Sequence, residues 1–208
     1  MQSVGIIDYG LANIRSVVNA LECFHVELVV AERGDQLASV DKIILPGVGS
    51  FDKGMSGLRE RGHVEALDEL VFDGGKPFLG ICLGLQFLFE GSEEGVEAGL
   101  GLFPGNCLRF PAGPGAPKVP HMGWSDVEAV KKSSLLFSEL VPPLTFYFVH
   151  SFFAPYSSET AEFTAAVCDY GLRYTAALER DNVFAVQFHP EKSQLAGMKM
   201  LETFLEKI

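Results

Sequence analysis

The sequence predicts an α/β fold with a mixed, mostly parallel central sheet and a smaller antiparallel addition, and three observations predict it. Up to about residue 99, short apolar runs alternate with segments of helical spacing. Proline, glycine and aspartate punctuate the ends of the runs. Beyond Gly99, short β-like runs among frequent glycines and prolines replace the alternation.

The first run, at 3 to 8, stops at Asp8-Tyr9-Gly10 as a buried strand stops at a turn. From Asn13 onward, Ile14, Val17, Val18 and Leu21 recur at helical spacing, and VELVV at 26 to 30 is a second strand. DKIILPGVGSF at 41 to 51 is a third strand running into a turn that two glycines make unusual, and helix fills most of 52 to 73. PFLGIC at 77 to 82 passes directly into LGLQFLFE, whose apolar residues predict a buried helix. In the second half LTFYFV at 144 to 149 and FAVQF at 184 to 188 are strands, and PAGPGAP at 111 to 117 is a loop. A last helix carries Leu195, Met198, Leu201, Leu205 and Ile208 as an apolar stripe that packs on the sheet. With no internal repeat and no polar linker, residues 1 to 208 are expected to form a single domain.

Composition narrows the function classes. The chain has 208 residues, 48% hydrophobic and 21% charged, with 17 phenylalanines, enough apolar surface for a large core. A net charge of -11 leaves no basic footprint for nucleic acid. The four cysteines are too widely spaced for a zinc ladder and are expected to be buried free thiols, so no metal and no cofactor is expected. No stretch approaches the ~20 apolar residues of a membrane span, and the N-terminus lacks a signal pattern, which predicts a cytoplasmic protein with no membrane partner.

The chemistry concentrates in two segments. Gly80-Ile81-Cys82-Leu83-Gly84 reads G-x-C-x-G, a thiol form of the nucleophile elbow, in which a strained turn between strand and helix exposes the reactive side chain. The N-terminal end of the following helix favours a thiolate at Cys82. His189-Pro190-Glu191 follows a β-like run, and a carboxylate that holds one imidazole nitrogen leaves the other free to move a proton. Acyl transfer also needs donors for an oxyanion, and Pro46-Gly47-Val48-Gly49 can turn a backbone N–H into the site beside that of Leu83. Each segment also has a plainer reading: an inert buried thiol, an exposed histidine in a turn, an ordinary strand-to-helix turn.

GICLGLQ, HPE and PGVG together resemble the triad class of glutamine amidotransferases, over essentially the whole chain. Within that class DYGLANIRSV, PGVGSFDKGM, PHMGW and YFVHSFF are similar to the glutaminase subunits of imidazole glycerol phosphate synthase. That resemblance implies a flavodoxin-like α/β fold, glutamine hydrolysis by Cys82, His189 and Glu191, and an oxyanion site at Gly47, Val48, Gly49 and Leu83. It also implies L-glutamine held by Gln86, Glu94 and main-chain groups near Ser151 and Phe152, where relatives favour tyrosine at position 152. The implied partner is a (β/α)8 cyclase in a heterodimer, faced by Asn13, His121, Met122, Trp124, Tyr147 and Lys192. His150 is read as a support of the glutamine pocket or as a structural histidine, and Ala12 stands where relatives often carry glycine. A glutaminase serving another synthase, a stand-alone cysteine hydrolase of γ-glutamyl or peptide bonds, and a silent binding subunit remain the alternatives at this point.

Overall fold

A computed structural model describes residues 1–11 and 13–208; Ala12 lies outside the described residues. The first half builds β1 (Gln2–Ile7), α1 (Ile14–Leu21), β2 (Val26–Ala31), β3 (Lys42–Gly47), α2 (Phe51–Glu60), α3 (His63–Leu67), β4 (Phe78–Cys82) and α4 (Leu83–Gln86). The second half adds β5 (Phe89–Ser92), β6 (Phe103–Arg109), β7 (His121–Ala129), β8 (Thr145–His150), β9 (Phe152–Pro155), β10 (Thr164–Asp169), β11 (Arg173–Arg180), β12 (Val183–Val186) and α5 (Gln194–Lys207).

The main sheet runs β2-β1-β3-β4-β12-β11-β10-β7-β8. Its first five strands are parallel and the rest antiparallel; β12, although it follows Gly99, joins the parallel half beside β4. Strand alternation divides the core. Ile44 and Leu79 face Val17 and Leu21 of α1 and Met200, Leu201 and Phe204 of α5, whereas Ile43 and Phe78 face Phe51, Met55 and Leu58 of α2 and Leu67 of α3. Both faces are therefore covered, and the parallel strands are apolar on both sides.

Three expectations need correction. LGLQFLFE is not one helix: α4 is a single turn, and Phe89 starts β5, where it pairs with Phe103 of β6 in register and through ring contact at 5.8 Å. A short apolar run does not choose between helix and strand, and here a partner strand from later in the sequence decides. On α5 the buried residues are Gly197, Met200, Leu201, Thr203, Phe204 and Leu205, while Leu195 is 87% exposed. Cys23, expected to be buried, is exposed, while the other three free thiols are buried. Among the described residues, no helix is long and apolar enough to cross a membrane.

A buried lysine ties α5 to the sheet. Lys42 Nζ donates to the carbonyls of Phe204 (2.7 Å) and Leu205 (2.8 Å), meeting two of the acceptors that a helix C-terminus leaves open. Lys42→Met keeps the aliphatic bulk and removes the charged donor, so it is expected to cost about 2 kcal/mol and lower the melting temperature by roughly 5 °C. Calorimetry checks this, and an unchanged melting temperature refutes it.

Candidate active site

The strand order explains how distant segments meet. β4 lies between β3 and β12, so the chain leaving the carboxyl ends of these three neighbours delivers PGVG, Cys82 and His189 to one crevice. Ligands of open α/β sheets bind at such carboxyl ends.

Cys82 closes β4 opposite Gly47 and turns into α4 with φ 55° and ψ -104°. A β-carbon is strained there, and strain held in a nucleophile elbow keeps the side chain clear of both adjoining elements. The flanking glycines are required by contact. A Cβ on Gly84 would lie 2.0 Å from the Leu45 carbonyl oxygen, and one on Gly80 would lie 2.7 Å from that of Gly84. With only one turn in α4, the helix dipole invoked from the sequence is correspondingly small.

His189 Nδ1 donates to Glu191 Oε1 at 2.8 Å, and both side chains are only 3% exposed. The backbone is clamped as well: His189 N–H donates to the Tyr147 carbonyl at 2.9 Å, and Ser193 Oγ donates to the His189 carbonyl and accepts from Tyr147 N–H. Nε2 is left without an aligned partner. Burial alone lowers this imidazolium, but the charge of the nearby Cys82 sulfur, the contact with it and the Glu191 carboxylate outweigh burial and push the histidine up to about 10. The ring can thus hold the proton that a departing amine needs.

A cavity of about 350 Å³ opens beside the sulfur, lined by Val48, Gly49, Cys82, Leu83, Gln86 and Glu94 on one side and by Pro120, Val149, His150, Ser151 and Phe152 on the other. The structure therefore brings together every residue named from the sequence as a glutamine contact, and three of the four named for the oxyanion. Gly47 is the exception. It is the last residue of β3, where a Cβ would meet Leu83 Cβ at 2.6 Å, so its smallness serves close approach of the elbow. Gly49, at φ +99° with nothing within 4 Å of an added Cβ, keeps its peptide free to turn.

Polar contacts fix the floor of the cavity. Gln86 Nε2 donates to the Phe152 carbonyl (2.9 Å) and to Gln187 Oε1 (3.2 Å), and Gln187 Nε2 donates to the Cys82 sulfur at 3.7 Å. Glu94 accepts from Phe51 N–H at the start of α2; burial pushes its carboxyl up and that hydrogen bond partly opposes the rise. Residue 152 contributes through its carbonyl, so phenylalanine in place of tyrosine leaves this contact intact. Gln187, Pro120 and Val149 were not picked out from the sequence. Gln187 had a visible signal, as the one polar residue within VFAVQF.

The six positions named as partner-facing divide. Met122 and Trp124 are exposed, Asn13 is exposed at the start of α1, and Tyr147 and Lys192 are half-buried. Trp124 and Tyr147 pair across β7 and β8 with their rings 5.9 Å apart. His121 is a correction: it is 1% exposed, because alternation along β7 turns it inward while Met122 points out. Its ring stacks on Tyr170 and Phe148 and its nitrogens meet Tyr174 and Ser125. Among the described residues, no group of three His, Cys, Asp or Glu side chains could hold a metal ion.

A family model described as glutamine amidotransferase class-I matches residues 5–208. The chain is 48% identical to the imidazole glycerol phosphate synthase subunit HisH of Desulfitobacterium hafniense over 97% of this chain and 92% of that protein. It is 45% identical to the Bdellovibrio bacteriovorus protein of the same name, covering 98% and 99%. The Acaryochloris marina protein of that name is 43% identical, with 100% and 96% covered. Among solved structures, PurLQS from Thermotoga maritima superposes with a TM-score of 0.76 at 22% identity, over 98% of this chain and 97% of that one. A crystal structure of a glutamine amidotransferase gives 0.70 at 19%, over 98% and 97%. At those identities the two structures are similar in fold alone.

Proposed function

Since the chain belongs to the class-I glutamine amidotransferase family, we propose that it is the glutaminase subunit of an imidazole glycerol phosphate synthase, with Cys82, His189 and Glu191 as its triad. The observation that carries this reading is a strained cysteine sharing one small cavity with Gln86 and Glu94, backed by a buried His189–Glu191 pair.

In this reading the Cys82 sulfur attacks the side-chain carbonyl carbon of glutamine and the backbone N–H groups of Leu83 and the Val48–Gly49 segment take up the oxyanion. Collapse of the tetrahedral adduct breaks the C–N bond as His189 Nε2 gives its proton to nitrogen, releasing ammonia and leaving a glutamyl thioester. Water then adds to the thioester with His189 as base, and glutamate departs. Glu191 holds the imidazole in the tautomer both steps need.

Ammonia set free in water is protonated and lost as a nucleophile, so the product has to pass to a partner without meeting bulk solvent. Exposed Met122 lies directly across from Val149 of the cavity lining, and exposed Trp124 lies next along the same face, opposite half-buried Tyr147. α1 and β8 both pack against the 190–192 turn, which brings Asn13, Lys192 and Tyr147 to neighbouring elements. This is where the (β/α)8 cyclase would dock and receive ammonia to form imidazole glycerol phosphate and an aminoimidazole carboxamide ribonucleotide. The test is glutamate release by the isolated chain and by the chain with cyclase and its nucleotide ligand. A rise of roughly tenfold or more is expected. Equal rates would favour a stand-alone hydrolase, and no release in either sample would end the glutaminase reading.

A further inference from the structure

The loop after β5 carries Glu94, the one carboxylate among the described residues that line the cavity, and no apolar anchor holds that loop. None of residues 93 to 100 is buried, and Val96 is 95% exposed. Position therefore rests on polar ties, and those of residues 96 to 98 run to α2. Asp52, in the first turn of α2, accepts from the Val96 N–H through both carboxylate oxygens (3.0 and 3.1 Å) and from the Glu97 N–H through Oδ1 (3.0 Å). Two helical turns along the same stripe, Arg59 pairs with the Glu97 carboxylate at 2.6 Å and donates to the Ala98 carbonyl. Phe51, the first residue of α2, donates its N–H to Glu94 Oε2 at 2.9 Å.

An aspartate at the start of a helix ordinarily serves that helix, by meeting its dipole or capping its free N–H groups. Here the carboxylate is turned outward and both oxygens bond another segment. Gly95, directly after Glu94, fits this arrangement: a Cβ on it would lie 1.9 Å from Asp52 Oδ1 and 2.2 Å from Cγ. The first turn of α2 thus grips the loop at two points, the Glu94 side chain through Phe51 and the 96–97 main chain through Asp52. The Phe51 N–H meets a single oxygen at the end of a flexible side chain, so it leaves the backbone beyond Glu94 free to swing. The second point removes that freedom. Burial pushes the Glu94 carboxyl up and the charge of Asp52 adds to the rise, so the charge works against an ionised Glu94. What Asp52 gives the loop is its oxygens as acceptors.

We propose that Asp52 is a positioning residue: by holding the Val96 and Glu97 amides it keeps the loop against α2, with the Glu94 carboxylate set for the α-ammonium of glutamine. The proposal rests on the glutaminase reading and adds to it a residue outside the cavity. Glutamine affinity is measured by calorimetry on the Cys82→Ala chain in complex with cyclase, where no turnover interferes. A loop in place only part of the time raises the apparent Kd by the inverse of that fraction, and Asp52→Ala is expected to weaken binding roughly threefold to tenfold. Asp52→Asn keeps Oδ1, which reaches both amides, and should bind within about twofold of the Asp52 parent. Gly95→Ala retains Asp52 but puts a methyl where its carboxylate sits, at a φ outside the left-handed region, and should match Asp52→Ala. With Cys82 restored, Asp52→Ala is expected to raise KM for glutamine in the same proportion and hold kcat within about twofold. Hydrogen exchange at the Val96 and Glu97 amides should quicken in Asp52→Ala and not in Asp52→Asn. Unchanged affinity in Asp52→Ala, equal weakening in Asp52→Asn, unquickened exchange, or a loss confined to kcat overturns the proposal. If Asp52→Ala does not fold, Gly95→Ala decides, and unchanged affinity there overturns it equally. A parent that neither binds glutamine nor releases glutamate brings down the glutaminase reading and this proposal with it, whereas a parent that binds as its variants do loses only the role of Asp52.

Discussion

Cys82→Ala is expected to lower glutamate release by at least about four orders of magnitude, measured with the cyclase present so that the reference rate is high. Its effect on stability separates chemistry from strain. Alanine retains a β-carbon at φ 55°, so the alanine variant should melt close to the parent, whereas Cys82→Gly removes the atom that makes this conformation costly. Strain of this kind is worth about 1–3 kcal/mol and the extra chain entropy of glycine costs about 0.5–1 kcal/mol, so the glycine variant should be the more stable of the two. Calorimetry of both variants decides it. Surviving hydrolysis in the alanine variant removes Cys82 from the mechanism, and a glycine variant no more stable than alanine shows that the elbow stores no strain.

Gly84→Ala is expected to have a large effect on folding. The new carbon would sit 2.0 Å from the Leu45 carbonyl oxygen, and Leu45 is held opposite Gly80 in the centre of the parallel sheet. No rotamer change relieves a clash between two pieces of backbone, so β3 and the elbow must separate, at a cost of about 3 kcal/mol and a drop of about 10 °C in melting temperature. Gly49→Ala makes the contrast. It meets no atom within 4 Å and suffers only its positive φ, so about 1 kcal/mol is expected, and its consequence should fall on catalysis if the Val48–Gly49 peptide has to turn. Thermal melts of the pair test the distinction, and equal losses would contradict it.

The contrast between these two glycines also shows what the sequence could reveal. The elbow is legible because its requirement is local: a strained residue between a strand and a helix needs small neighbours, and Gly80 and Gly84 lie two residues to either side of Cys82. The alternation of strands and helices up to β4 was legible for the same reason. What escaped depends on partners distant in sequence. Phe89 becomes a strand residue through Phe103, and His121 is inside because β7 and β8 pair so that His121 meets His150 while Met122 and Trp124 point out. The PHMGW segment could have been read as a strand with alternating faces, which would have separated His121 from its two neighbours. Gln187 takes its meaning from Gln86 and the elbow, partners about a hundred residues away in the chain.

The clamp between Tyr147 and the His189–Ser193 turn has a further consequence. β8 is the last strand of the sheet, and part of its outer rim is taken up by that turn, so the proposed base His189 is fastened to a border strand as well as to the central strand that leads into it. Anything that braces the border from outside, across Trp124 and Tyr147, also steadies the imidazole. A loose hem and a slack base are then one condition, and a bound neighbour can cure both without touching the sulfur.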